Sequence, residues 1–220
     1  MQIAIDGPGG AGKSTLSKKL AKQLGFVYID TGAMYRAAGL ACLRKGIDIR
    51  NQKDEAAALV ETVLIDLIPA EAGQRIMLDG EDITGLIRTP EVSMAASDVS
   101  AIPAVRLRLV ELQRALAATR DVIMDGRDIG TYVLPDAPIK IFLTATPEER
   151  AKRRYIELTE KGEACDYEQV LAELKERDHN DSTRAFAPLK QAEDSVLVDT
   201  SSLNFEESFE HLLSIIKERL

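Results

Sequence analysis

The sequence predicts a parallel α/β fold. Three observations carry that prediction. Short apolar runs alternate with segments of helical period at both ends of the chain. Clusters of glycine, proline and aspartate stop the apolar runs. Only the middle of the chain departs from the alternation, and it reads as a small antiparallel insertion.

Taken in order, Gln2–Ile5 is a short strand that ends at the breakers Asp6-Gly7-Pro8-Gly9-Gly10. From Lys13 the pattern is helical, with Leu16, Leu20, Ala21 and Leu24 on one face and Gly25 as its stop. Phe26–Ile29 is a second strand and Ala33–Lys45 a second helix. Asn51 is placed to cap a helix that runs to about Val63. Ile65–Pro69, Gln74–Leu78 and Glu81–Ile83 are short strands, with Asp79-Gly80 as a tight hairpin turn. Thr89-Pro90 opens another helix as cap and first-turn proline, and Val105–Ala118 is a further one.

The alternation then returns. Asp121–Met124 is a strand leading into Asp125-Gly126-Arg127-Asp128, and Ile139–Leu143 another. Thr146 and Glu149 have the spacing of a capping box. Helices follow over Pro147–Lys161 and Tyr167–Asp181, then a strand at Ser195–Val198 and an amphipathic helix over Asn204–Leu220.

Composition narrows the function classes. An apolar fraction of 45% and a charged fraction of 29% suit an ordinary globular chain of 220 residues. No apolar run approaches the ~18 residues of a membrane span, and no signal-peptide pattern opens the sequence. Cys42 and Cys165 have no metal-like spacing, so the expected setting is a reducing cytoplasm. A formal net charge of −8 argues against nucleic-acid binding by overall field, so any phosphate ligand must be held by local donors.

Gly7-Pro8-Gly9-Gly10-Ala11-Gly12-Lys13-Ser14 fits the phosphate-binding pattern G-x-x-x-x-G-K-S/T, after a strand and at the start of a helix. Its glycines let backbone N–H groups converge on a β-phosphate, and the helix N-terminus adds its dipole. Lys13 is placed for β- and γ-phosphates and the Ser14 hydroxyl for Mg²⁺. The Asn-Lys-x-Asp string that reads guanine is absent. Arginines then cluster: Arg36 after Asp30-Thr31-Gly32-Ala33-Met34-Tyr35, Arg127 at a strand end, Arg150, Arg153 and Arg154 on one helix face, and Arg177, Asp181 and Arg184 on another. A solvated salt-bridge face is the plain reading of each helical set alone. Beside a phosphate loop, planar bidentate donors around a transferred phosphoryl group become the better one.

On these motifs, together with Arg177-Asp178-x-x-Asp181-x-x-Arg184, the chain resembles the bacterial cytidylate kinases over essentially its full length. The resemblance implies a P-loop kinase fold, with a five-stranded parallel sheet flanked by helices. It implies one domain, 1–220, with a monophosphate-binding region inserted at about 36–105 and a short helical lid at about 148–168. It implies transfer of the γ-phosphate of ATP to CMP or dCMP, with Mg²⁺ as cofactor and no nucleic-acid or membrane partner, by a protein expected to be monomeric.

The resemblance also assigns residues. Gly7, Pro8, Gly9, Gly10, Ala11, Gly12, Lys13, Ser14 and Thr15 would bind ATP, and Ser14 and Asp125 would serve the metal. Thr31, Tyr35 and Arg36 would line the acceptor, with Arg36 on its phosphate. Ser97, Arg106 and Asp128 would hold the cytosine, and Arg177 and Asp181 the sugar. Arg127 and Arg184 would contact phosphate, with Arg153 and Arg154 as lid arginines joining Lys13 in catalysis. The position of Thr31 is often Ser in the family, and both carry the hydroxyl. Kinases for UMP or AMP, or a nucleotide-dependent switch, are the competing readings. His179 and His211 are expected at the surface, Met77, Met94 and Met124 in the core, and Cys42 buried and inert.

Overall fold

Five runs of mostly apolar residues make the central sheet of the computed structural model, which describes residues 1–70 and 73–220. They are β1 (Gln2–Asp6), β2 (Val27–Asp30), β6 (Val122–Gly126), β7 (Ile139–Thr144) and β8 (Val196–Asp199), and all adjacent pairs are parallel in the order β2-β6-β1-β7-β8. Strands covered by helices on both faces need no polar face, which is why β1 and β6 read as nearly continuous apolar runs. On one face, α1 (Lys13–Leu24) and α8 (Phe205–Lys217) pack Leu16, Leu20, Phe209, Leu212 and Ile216 onto Ile3, Ile5 and Ile141.

The other face is covered by α2 (Thr31–Arg44), α4 (Pro90–Ser100) and α5 (Pro103–Ala117). Here the inserted region shares the main core. Val60 of α3 (Lys53–Thr62), Ile65 of β3 (Ile65–Ala70) and Ile76 of β4 (Gly73–Leu78) belong to one apolar cluster with Ala4, Ile29 and Met124. With β5 (Glu81–Asp82), β3 and β4 form the expected antiparallel sheet. Asp79 and Gly80, at φ 49° and 83°, make its turn. A further pair, α6 (Pro147–Glu160) and α7 (Tyr167–Thr183), forms a hairpin with its own small cluster of Ala151, Leu158 and Val170. Among the described residues, no helix is long and apolar enough to cross a membrane.

Three local expectations are corrected. Gln52, not Asn51, occupies the N-cap of α3; the Asn51 amide is drawn to Asp48 instead. Thr146 caps α6, but Glu149 does not close a capping box because its carboxylate accepts from Arg153. The reciprocal box stands at Asn204 and Glu207, where α8 begins. Met94 is 59% exposed rather than core. Cys42 and Met124 are buried, and both histidines are exposed, as expected.

Candidate active site

The carboxyl ends of β1, β2 and β6 open into a cleft of about 910 Å³. At one end lies the loop after β1. Gly7 has φ +148°, and a Cβ on it would sit 1.9 Å from the carbonyl oxygen of Leu143, so only glycine fits. Gly12, also left-handed, is the N-cap of α1, with no side-chain cap and no acidic residue in the first turn. The N–H groups of that turn are thus left without a side-chain acceptor, an arrangement suited to an anion. The Lys13 ammonium is buried and donates to the carbonyl of Pro8 at 2.8 Å. Burial, then the nearby Arg127 charge, hold its pKa well below the usual lysine range.

Beside Lys13, the Ser14 hydroxyl donates to Asp125 Oδ2 at 2.7 Å, and the Tyr28 hydroxyl to Asp125 Oδ1 at 3.0 Å. Burial, then the Asp30 charge, push the Asp125 carboxyl up to about 6. Arg150 braces the loop from behind. Its guanidinium, 3% exposed, donates to the carbonyls of Gly9 and Ala145, each at 2.9 Å, and to Asp178 at 2.6 Å.

Beyond the loop stands a group of buried cations. Arg127 donates to Asp181 at 2.9 Å, and Arg184 lies 3.6 Å from both Asp181 and Asp128. Arg36 Nε, Arg177 Nε and Arg184 Nη2 are buried without a hydrogen-bond partner. Burial and mutual repulsion lower all three: Arg177 falls to about 10 through burial and then Arg127, while Arg184 is lowered by burial and then Arg106. Arg36 is lowered by burial, with Arg88, Arg127 and Arg154 adding repulsion and Asp30 opposing it. Cations held this way favour an incoming anion.

The far end of the cleft is lined by Tyr35, Ser97, Arg106 and Asp128. Arg106, 1% exposed, donates to Asp128 at 2.5 Å and to the carbonyl of Ser100 at 3.3 Å. Its guanidinium lies 5.2 Å from the centre of the Tyr35 ring. Asp128 therefore pairs with Arg106, not with the adjacent Arg127.

Comparison with known proteins matches the sequence to one family. The sequence model of the cytidylate kinases matches residues 3–218. The chain belongs to the cytidylate kinase family. It is 55% identical over 215 residues to a cytidylate kinase of Caldicellulosiruptor bescii, covering 98% of this chain and 95% of that one. A cytidylate kinase of Mycobacterium leprae is 53% identical over 218 residues, covering 99% and 96%. Among solved structures, the chain is similar in fold to a gluconokinase from Sinorhizobium meliloti, with TM-score 0.52 and 14% identity over 99% of this chain and 91% of the other. A shikimate kinase from Bacteroides thetaiotaomicron gives TM-score 0.50 and 14% identity over 99% and 97%. The chain is thus a nucleotide-binding transferase with the P-loop kinase fold.

The site residues singled out in the sequence line one cleft, except Gly7 and Pro8 at the start of the loop. The lid arginines part company. Arg154 donates to Glu157 at 2.8 Å and lines the cleft. Arg153 is tied by two hydrogen bonds to Thr200 after β8 and by a third to Glu149. Arg150, on the expected shared face, is turned inward instead. Arg177 lies beside the phosphate loop: a Cβ on Gly9 would be 3.9 Å from its Cδ and 3.5 Å from Arg127 Nη2. Thr31 donates to the carbonyl of Asp125 at 2.7 Å, which ties α2 to β6.

The roles of several contributors escaped the sequence reading. Asp30 caps α2 through the Ala33 N–H and lies 3.4 Å from Arg88, a cleft residue. Tyr28 and Arg150 act through Asp125 and the phosphate loop. A carboxylate next to a helix start signals the first of these; neighbours brought from across the fold leave no comparable mark.

Proposed function

We propose that the protein transfers the γ-phosphate of ATP to CMP or dCMP, giving ADP and CDP or dCDP. The observation that carries this reading is the group of cleft-lining cations beyond the phosphate loop, Arg36, Arg127, Arg177 and Arg184, of which Arg36 Nε, Arg177 Nε and Arg184 Nη2 make no hydrogen bond. A second phosphate-bearing substrate would supply the anion that this group lacks. The acceptor phosphate is a dianion and attacks the γ-phosphorus directly, without a general base. The new bond forms from its oxygen as the β–γ bridging bond breaks, and ADP leaves with the electron pair.

Catalysis is then alignment and charge stabilisation. Lys13 exchanges the Pro8 carbonyl for phosphate oxygens. Arg36 and Arg184 hold the acceptor phosphate, while Arg127 and Arg154 neutralise charge at the transferred group. Asp181, fixed by Arg127 and Arg184, meets the sugar together with Arg177. We assign Arg153 to the donor side, where Thr200 holds it, and Asp128, Arg106 and Ser97 to the cytosine. Closing of the α6–α7 hairpin excludes water and so suppresses hydrolysis of ATP.

Mg²⁺ fits the donor set. Among the described residues, no three His, Cys, Asp or Glu gather to hold a metal, but the Ser14 hydroxyl and Asp125 carboxylate are hard oxygen ligands side by side. Such a pair suits an ion that keeps waters and takes its remaining ligands from substrate phosphates. When bound, Mg²⁺ supplies charge neutralisation of the β- and γ-phosphates.

Arg184 provides the test. It is 9% exposed at the side chain and bonded to Ala187 through Nε, while Nη2 makes no hydrogen bond and lies 3.6 Å from Asp128. Arg184→Ala should lower kcat/KM for CMP by at least about 2 kcal/mol, because phosphate charge is left unpaired in a closed site. A folded variant with wild-type kcat/KM places the acceptor phosphate elsewhere.

A further inference from the structure

Asp128 occupies the N-cap position of a π-helical turn, Ile129–Val133, that follows β6. A carboxylate there ordinarily accepts from the first free N–H groups of its own helix. Asp128 makes no such bond. The N–H groups of Ile129 and Gly130 donate instead to the two oxygens of Asp6, each at 2.7 Å. Asp6 is the last residue of β1, 4% exposed, and the phosphate loop begins at the next residue. With its turn already capped from β1, the Asp128 carboxylate is left to Arg106 at 2.5 Å and Arg184 at 3.6 Å.

Resting on the assignment of Asp128 to the cytosine, we propose that Asp6 is a positioning residue for base recognition. It caps the Ile129–Val133 turn in place of Asp128 and so keeps the Asp128 carboxylate turned toward the base. Without Asp6, two buried donors lose their acceptors, and the carboxylate one and two residues before them is Asp128 itself. Once that carboxylate rotates onto its own turn, it no longer accepts from an exocyclic amino group, and Arg106 loses its partner. The strand that carries the phosphate loop therefore also sets which base is accepted.

The experiment measures kcat/KM for CMP and UMP, and ATP affinity by direct titration, on wild type, Asp6→Asn, Asp128→Asn and the double variant. Asn keeps the size of Asp but turns an N–H₂ group toward one backbone N–H. Asp6→Asn should lower kcat/KM for CMP about 10-fold or more, with a loss of only about 3-fold for UMP, so the CMP/UMP ratio falls. Asp6 also supports the Lys13 charge, so any loss of ATP affinity is common to both acceptors and cancels in the CMP/UMP ratio. The double variant should have the ratio of Asp128→Asn alone, because Asp6 acts through Asp128. A folded Asp6→Asn with the wild-type ratio overturns the proposal, as does a double variant whose loss of ratio is the product of the single losses.

If Asp6→Asn does not fold, Gly130→Ala decides. Its Cβ would lie 3.1 Å from Lys140 Cδ, a tight contact, and 3.4 Å from Asp6 Oδ2, so the turn shifts relative to both side chains. The same fall in the CMP/UMP ratio supports the proposal, and an unchanged ratio overturns it. A wild type that does not prefer CMP refutes the base assignment, and this proposal with it. A wild type that prefers CMP beside a variant with unchanged preference refutes this proposal alone.

Discussion

Lys13→Met should reduce turnover by about 10²-fold or more while leaving the fold intact. The ammonium is buried beneath the loop and donates to the Pro8 carbonyl, 2.8 Å away, so it is held at the loop before any nucleotide arrives. Burial and Arg127 disfavour its charge in the free protein, while Asp125 and Asp6 support it. Phosphate oxygens would reverse that balance, most strongly where charge develops on the transferred group. Met matches the length of the side chain and removes only the charge and its donors. The check is steady-state ADP release alongside thermal unfolding. A folded Lys13→Met with more than a tenth of wild-type turnover places the residue outside the transfer step.

At the opposite end of the cleft, Asp128→Asn should reduce a CMP preference over UMP of at least about 10²-fold to below about 10-fold. Cytosine presents an N4 amino donor with N3 and O2 acceptors; uracil presents an O4 acceptor and an N3–H donor. The carboxylate accepts from the amino group, and the Arg106 and Ser97 donors suit N3 and O2. With UMP, carboxylate faces O4 and guanidinium faces N–H, at about 1–3 kcal/mol for each group left unpaired. Asn keeps an oxygen for Arg106 and offers an amide N–H₂ to O4, so the loss falls on CMP. Asp128→Ala is the poorer probe, because it leaves the Arg106 guanidinium, 1% exposed, without its partner. Removing one member of such a buried pair costs about 3–5 kcal/mol of stability, which would mask a selectivity effect. Equal losses of CMP and UMP with Asp128→Asn would remove this residue from the base site.

The sheet, the phosphate loop and the hairpin at Asp79-Gly80 were legible because each is written locally, in apolar runs, breaker residues and turn chemistry. Caps were legible less often. Thr89 and Thr146 cap as expected, yet Asn51 yields to Gln52 because Asp48 offers its side chain a nearer partner. The cation group was legible as composition only. Helical spacing placed Arg150, Arg153 and Arg154 on one face, but the acceptors that separate them belong to Gly9, Thr200 and Glu157. The first two of those acceptors lie far along the chain. The π-helical turn after β6 had no local signal, since its capping carboxylate comes from Asp6, over a hundred residues earlier. Exposure of Met94 went against its chemistry for a similar reason: α4 presents it to the mouth of the cleft rather than to the sheet.

The central claim is that an acceptor nucleotide carrying cytosine completes this site. Its most direct test is ADP release from ATP in the presence of CMP, dCMP, UMP, AMP or GMP in turn. The expected result is slow release without a monophosphate, rapid release with CMP or dCMP, and kcat/KM for CMP at least about 10²-fold above that for UMP. ATP turnover unaffected by any monophosphate, or faster turnover with UMP or AMP than with CMP, would contradict it.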